Sequence, residues 1–191
     1  MNDKTVIGVP LKYEAIRDAT NALRFAMASD IYTGSLLKTL AASKPSGRFL
    51  ELGVGTGLAT AWIVSGMDKN SSFTAIENNE ILIGVAQKNI IDRRVTFLLA
   101  DAYKWIKDYS SEKFDFIFAD AMPGKYDLFD ETISMLNSGG LYIIDDMLPQ
   151  PNWPKGHEEK VKLFINNLET RNDLLLTKIN WSTGIIIVTK K

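Results

Sequence analysis

Three glycines at alternate positions, Gly53, Gly55 and Gly57, close the apolar run Phe49-Leu50-Glu51-Leu52 and open a helical stretch that starts near Leu58. Glycine lets the backbone turn tightly and lets a ligand approach with no Cβ in the way. A helix that begins immediately afterwards adds the unpaired N–H groups of its first turn. The segment therefore reads as strand, turn and helix built around a ligand. Glu77 follows Gly57 by 20 residues, at the end of a second apolar run, Phe73-Thr74-Ala75-Ile76. A carboxylate there can accept two hydrogen bonds from ribose hydroxyls. Together the two features predict a nucleoside pocket at the C-terminal edge of a sheet.

The rest of the chain supports such a sheet. Short apolar runs recur at Val95–Leu99, Phe114–Ala119 and Leu141–Ile144, rich in β-branched and aromatic residues. Several are almost continuously hydrophobic, as in strands buried on both faces of a parallel sheet. Helical patterns separate them: one burying Ala59, Trp62 and Ile63, one from Asn79 burying Ile81 and Val85, one over Tyr103–Asp108, and one carrying Phe129, Ile133 and Leu136. This alternation predicts a doubly wound α/β fold with right-handed crossovers. Ahead of it, Ile16, Thr20, Leu23 and Met27 fall at helical spacing. Thr33-Gly34 breaks that pattern before a short helix over Ser35–Ala42. After a helix with Val161, Phe164, Ile165 and Leu168, two runs flank Asn180-Trp181-Ser182-Thr183-Gly184. They predict a hairpin whose last strand runs antiparallel to the sheet. The 191 residues are expected to form one domain, 1–191, with a helical lid over 1–46 and a nucleotide-binding core over 47–191.

Composition removes whole classes of chemistry. There is no cysteine, so no disulfide and no thiolate nucleophile. His157 is the single histidine, which excludes a two-histidine metal site within one chain. Lys and Arg number 22 against 23 Asp and Glu. That balance argues against a nucleic-acid partner, which needs clustered basic charge. No run of 18 apolar residues and no signal-peptide core occurs, so the expectation is a cytoplasmic protein with no membrane contact.

The glycine pattern narrows the ligand. A nicotinamide site carries G-x-G-x-x-G, and Leu58 stands where its third glycine would be. Here the pattern is G-x-G-x-G behind an acid, Glu51. The segment resembles the first motif of the class I S-adenosylmethionine-dependent methyltransferases, whose sheet also ends in an antiparallel hairpin. The likeness runs from about Thr33 to the end, and implies a Rossmann-like methyltransferase sheet. It also implies that Glu51, Gly53, Gly55, Gly57 and Glu77 serve S-adenosyl-L-methionine. By the same likeness Asp101 and Ala102, after the third strand, serve its adenine, although Asp101 is equally a helix N-cap. Asp120 would lie beside the transferable methyl, and Thr33 would reach the methionine carboxylate.

Within that superfamily the chain is most similar to the small O-methyltransferases related to catechol and caffeoyl-coenzyme-A enzymes. Those carry an Asp after strand four, a Tyr six residues later, and Asp-Asn after strand five. This chain has Asp120, Tyr126 and Asp145-Asp146. The relatives' lysine, three residues after the strand-four Asp, is replaced by Pro123, and Lys125 lies two positions further on. Asp120, Asp145 and Asp146 at neighbouring strand ends would suit a hard divalent cation such as Mg2+. Three carboxylates that close call for a compensating group: a cation, Lys125 or a shared proton. His157, Lys125 and Asp120 are the candidate catalytic groups. His157 lies in a loop with three prolines and Trp153, next to the expected acceptor pocket. The expected activity is O-methylation of a small-molecule hydroxyl, with a homodimer left open. Two alternatives stand beside it: a dinucleotide-dependent α/β oxidoreductase, and an adenosylmethionine-binding module without catalysis.

Overall fold

The computed structural model describes residues 2, 4–111 and 113–191. Two helices, α1 (Tyr13–Ala22) and α2 (Ile31–Ala42), precede the sheet. Then β1 (Arg48–Leu52), α3 (Leu58–Gly66), β2 (Ser72–Glu77), α4 (Glu80–Asn89), β3 (Val95–Leu99), α5 (Ala102–Asp108) and β4 (Phe114–Ala119) alternate. After β4 come the helical turn α6 (Met122–Lys125), α7 (Phe129–Ser134), β5 (Leu136–Ile144), α8 (His157–Glu169), β6 (Leu174–Ile179) and β7 (Ile185–Lys190).

The seven strands order as β3-β2-β1-β4-β5-β7-β6. β1 to β5 are parallel, and β7 runs antiparallel to both its neighbours, as the hairpin signal predicts. Alternate strand residues feed two cores. Leu50, Ile117 and Tyr142 meet α7 and α8 through Ile133, Phe164 and Leu168. Phe49, Phe116, Phe118 and Ile143 meet α2 and α3 through Leu37 and Ile63. Burying both faces explains the unbroken hydrophobicity of these strands.

Four local expectations change. Thr33-Gly34 does not break a helix. Asp30 caps α2, its Oδ1 accepting from the N–H groups of Tyr32 and Thr33 at 2.8 and 2.9 Å, and Gly34 sits inside. A Cβ on Gly34 would lie 2.2 Å from Cδ1 of buried Trp62, so this glycine serves close packing of α2 on α3. α1 stops at Ala22, and Leu23 and Met27 are exposed in the connection that follows. Ile83 and Ala86, rather than Ile81 and Val85, are the buried face of α4, and Leu136 opens β5 instead of closing a helix. No helix among the described residues is long and apolar enough to cross a membrane.

Candidate active site

Strand register assembles the site. Leu52 pairs with Ile76 and with Ala119, and Ala119 pairs with Ile144. The next residues, Gly53, Glu77, Asp120 and Asp145, therefore come out along one edge of the sheet, as the doubly wound reading requires. A cavity of about 670 Å3 opens there. Its walls include Gly53, Gly55 and Glu77 on one side and Asp120, Lys125 and His157 on the other.

The three glycines do different work. Gly53 has φ +92°, and a Cβ there would lie 2.6 Å from the Asp120 carbonyl oxygen, so β1 and β4 could not approach as they do. Its N–H and that of Val54 both donate to the Ile76 carbonyl, at 3.0 and 3.2 Å. The Gly55 N–H donates to Glu77 Oε2 at 2.8 Å. Glu77 Oε1 accepts from the N–H groups of Asn78 and Asn79. Gly57 faces away from the cavity: its φ is +93°, and a Cβ would press on Ala86 and Ile90.

Several residues expected at the cofactor do not line the cavity. Glu51 is fully buried beneath the loop. Its Oε2 accepts from Thr60 at 2.6 Å, and Oε1 has no hydrogen-bond partner. Burial pushes its carboxyl well above the usual range. Thr33 is buried in α2, with its hydroxyl 3.0 Å from that of Ser182. Asp101 caps α5 by accepting from the Tyr103 N–H at 2.7 Å, and Ala102 begins that helix.

The acidic edge is organised around a buried ammonium. Lys125 is only 4% exposed, and its Nζ stands 3.5 Å from Asp120 Oδ1. The other Asp120 oxygen accepts from Ser29 Oγ at 3.2 Å. Burial pushes the Asp120 carboxyl up to about 8, opposed by Lys125 and reinforced by Asp145 and Asp146. Asp145 is buried, and its Oδ1 accepts from the Thr183 hydroxyl and from the Asp146 N–H. Asp146 holds a left-handed backbone, φ +61°, and faces the cavity. Such a conformation is uncommon outside glycine and points to a constrained position.

The expected metal triad fails on geometry. Among the described residues no three acidic or histidine side chains stand where they could share a metal ion. Asp120 already pairs with Lys125 and accepts from Ser29, and one oxygen of Asp145 accepts from Thr183 and the Asp146 N–H. The residues present do not fit a metal, and Lys125 reaches Asp120 despite lying two positions beyond the relatives' lysine.

His157 opens α8 as expected, and its ring walls the cavity. Its Nε2 lies 3.2 Å from the Tyr126 hydroxyl. Trp153 packs on it with ring centroids 4.7 Å apart. Burial, then the Lys125 and Lys160 ammoniums, lower its pKa, so the imidazole is neutral at pH 7. Burial holds the Tyr126 phenol above its ordinary value.

Sequence reasoning expected a helical lid over 1–46 but did not single out the non-helical connection between α1 and α2, which supplies a wall of the cavity. Phe25, Met27 and Ser29 line the cavity. A Cβ on Gly55 would lie 2.9 Å from Phe25 Cε1, so the ring rests on the glycine loop. The Thr20 and Thr56 hydroxyls meet at 2.7 Å, tying α1 to the same loop. Only Asp30, a cap residue before an apolar run, marks this segment in the sequence. A second cavity of about 280 Å3 adjoins the first, sharing Met27, Asp120 and Asp146 and adding Gln150 and Thr183.

Comparisons with known proteins bear on the family and the fold. A family model described as O-methyltransferase matches residues 10–188. A Mycobacterium ulcerans protein, named an O-methyltransferase by assignment only, is 26% identical over 117 residues, 58% of this chain and 52% of its own length. The chain thus spans about half the length of the curated relatives it matches. Among solved structures, the O-methyltransferase TomG from Streptomyces achromogenes, in complex with SAM, superposes with a TM-score of 0.81 at 20% identity, over 95% of this chain and 90% of its own. An O-methyltransferase from Bacillus cereus, in complex with SAH, gives 0.83 at 20% identity, over 99% and 94%. At such identities the likeness is one of fold.

Proposed function

The chain belongs to the O-methyltransferase family, and from that premise we propose that it transfers the methyl group of S-adenosylmethionine to a hydroxyl of a small molecule. The observation that carries the reading is the Gly55–Glu77 contact at the mouth of the 670 Å3 cavity. It sets a carboxylate for ribose hydroxyls beside a backbone that a ligand can approach closely. The cavity also suits the cofactor's charge. Glu77, Asp120 and Asp146 face it, against Arg24 and Lys125. A ligand bearing sulfonium and amine cations is favoured in such surroundings. When bound, S-adenosylmethionine supplies a methyl group already activated for transfer.

The chain's own residues then have two tasks, to place the acceptor and to take its proton. The wall over Phe25–Ser29 shields the cavity from solvent and helps hold the acceptor in line, where positioning can supply roughly 7–11 kcal/mol of the barrier. The Tyr126–His157 pair takes the proton. With Nε2 unprotonated, the Tyr126 hydroxyl donates to it and can receive the acceptor's proton as it passes its own to the imidazole. The oxygen–carbon bond forms as the carbon–sulfur bond breaks, and the electron pair stays on sulfur. The nearly balanced charge of the chain supports a small-molecule acceptor over nucleic acid.

The test is calorimetry with S-adenosylmethionine and with NAD, followed by detection of S-adenosylhomocysteine over a panel of hydroxylated acceptors. Binding of S-adenosylmethionine alone, with turnover, is expected. Preference for NAD would return the chain to the oxidoreductase class. Binding without turnover on any acceptor would make it a binding module.

A further inference from the structure

Segment 121–127, which follows β4, is shaped to send one side chain inward. Pro123 is extended, with ψ 139°, and Gly124 has φ +85°, so the helical turn is broken at both residues. The Gly124 N–H donates to the Asp127 carbonyl at 2.7 Å, and its own carbonyl accepts from the buried Tyr142 hydroxyl. A Cβ on Gly124 would lie 2.4 Å from Leu52 Cδ1. Only glycine meets both demands, the left-handed backbone and the close approach. The next residue, Lys125, is consequently driven into the protein instead of out to water.

We propose that the Lys125 ammonium is the resident cation of the acceptor site and stands where a divalent metal would be needed, so that this chain holds no metal between Asp120 and the Asp145–Asp146 pair and needs none for methyl transfer. The last clause rests on the function proposed above; the first does not. Four observations support the assignment. The ammonium pairs with Asp120 at 3.5 Å. It is buried with the carboxylates, and it acts through space on both Asp145 and His157. Asp145 Oδ1 already accepts from the Thr183 hydroxyl and the Asp146 N–H, which fixes the orientation of that carboxylate. And with Lys125 in place, no three acidic or histidine side chains among the described residues converge on one point. A divalent ion entering here would sit beside a like charge that is only 4% exposed and already paired with Asp120, a costly arrangement.

The assignment changes what the acceptor has to be. A metal site favours acceptors whose two neighbouring oxygens can chelate. An ammonium offers hydrogen bonds to one oxygen and steadies the charge that grows on it as its proton leaves. The second cavity, with Gln150 and Thr183 on its walls, can receive the remainder of such an acceptor. The substrate class that follows is a single hydroxyl, with no advantage for a vicinal diol.

The experiment titrates the chain with MnCl2 and reads free Mn2+ by electron paramagnetic resonance, with S-adenosylmethionine binding measured on the same samples. The wild-type chain is expected to leave the Mn2+ signal undiminished. Lys125→Ala, checked for folding by circular dichroism, removes the ammonium and uncovers the carboxylates, so its signal is expected to fall. Mn2+ capture by the wild-type chain overturns the proposal, and so does an unchanged signal in folded Lys125→Ala. If the wild-type chain captures Mn2+ and binds S-adenosylmethionine, the cation assignment fails while the methyltransferase reading stands. If it binds neither, the reverse holds. Methyl transfer that persists in EDTA, equal on a phenol and on the corresponding catechol, is the expected activity result; loss of transfer in EDTA overturns the claim of metal independence.

Discussion

The backbone N–H of Gly55 donates to the Glu77 carboxylate across 2.8 Å, which couples the glycine loop after β1 to the end of β2. Glu77 therefore does two things at once. It fixes the loop in a left-handed turn, and it presents the rest of its acceptor capacity to the cavity. Glu77→Ala should weaken S-adenosylmethionine binding by about 1.5–3 kcal/mol, the worth of hydrogen bonds to a charged group. Glu77→Gln keeps one acceptor oxygen and should fall between. Calorimetry showing equal affinity in all three proteins would remove Glu77 from the site.

Tyr126 and His157 meet at 3.2 Å on the opposite wall. If they receive the acceptor proton, His157→Asn and Tyr126→Phe should each lower kcat by about 10²-fold or more, within the usual range for an acid–base group. Cofactor affinity should hold, since neither residue belongs to the glycine loop. The two losses should not add, because both variants interrupt one relay. Additive losses in the double variant would separate the residues.

Much of this arrangement is legible in the chain because it follows from local backbone needs. Alternate glycines, a carboxylate at a strand end and a strand order that sets β4 beside β5 bring Glu77, Asp120 and Asp145 to one edge. The missed features depend on contacts distant in sequence. Gly34 reads as a breaker until Trp62 is seen against it. Phe25 carries no motif and acts only by lying on Gly55, 30 positions away. Lys125 looks out of register until the break at Pro123 and Gly124 shows where the backbone sends it. Asp101 shows the opposite failure: its place after β3 suggests a ligand role, and its side chain is occupied as a helix cap.

The buried acids give the ligand-free protein an unusual pH dependence. Burial raises the carboxyls of Glu51, Asp145 and Asp120, the second to about 6 and the third to about 8. A raised carboxyl binds protons in the folded state that the unfolded chain has already released. Stability therefore falls as pH rises from the ordinary carboxylate range through those values. His157, lowered by burial, acts in the opposite sense below its ordinary value, but it is one group against three. Asp68 and Asp92, lowered by hydrogen bonds, matter only at more acidic pH. The unfolding midpoint should drop between about pH 5 and about pH 8, and Glu51→Gln should flatten the drop. A midpoint that rises over this range would mean that the carboxylates are compensated in the folded state.

The last prediction concerns the packing that holds the cavity's outer wall. Asp30 caps α2 and accepts from Ser182, so the connection over Phe25–Ser29 is anchored at its far end by a helix that lies on α3. That contact is close because Gly34 faces Trp62 with no side chain of its own. Gly34→Ala sets a methyl group 2.2 Å from Trp62 Cδ1, and Trp62 is fully buried. Helix propensity alone would reward the change by about 1 kcal/mol. Overpacking costs about 1–3 kcal/mol and should win. The variant should therefore be less stable to urea, and weaker for S-adenosylmethionine because the wall shifts with α2. A control, Gly84→Ala, sits in α4 with nothing within 4 Å and should gain stability from the same propensity term. If Gly34→Ala were the stabilising one of the two, α2 would not lie on Trp62 as described, and the wall over the cavity would have to be held by the Thr20–Thr56 contact instead.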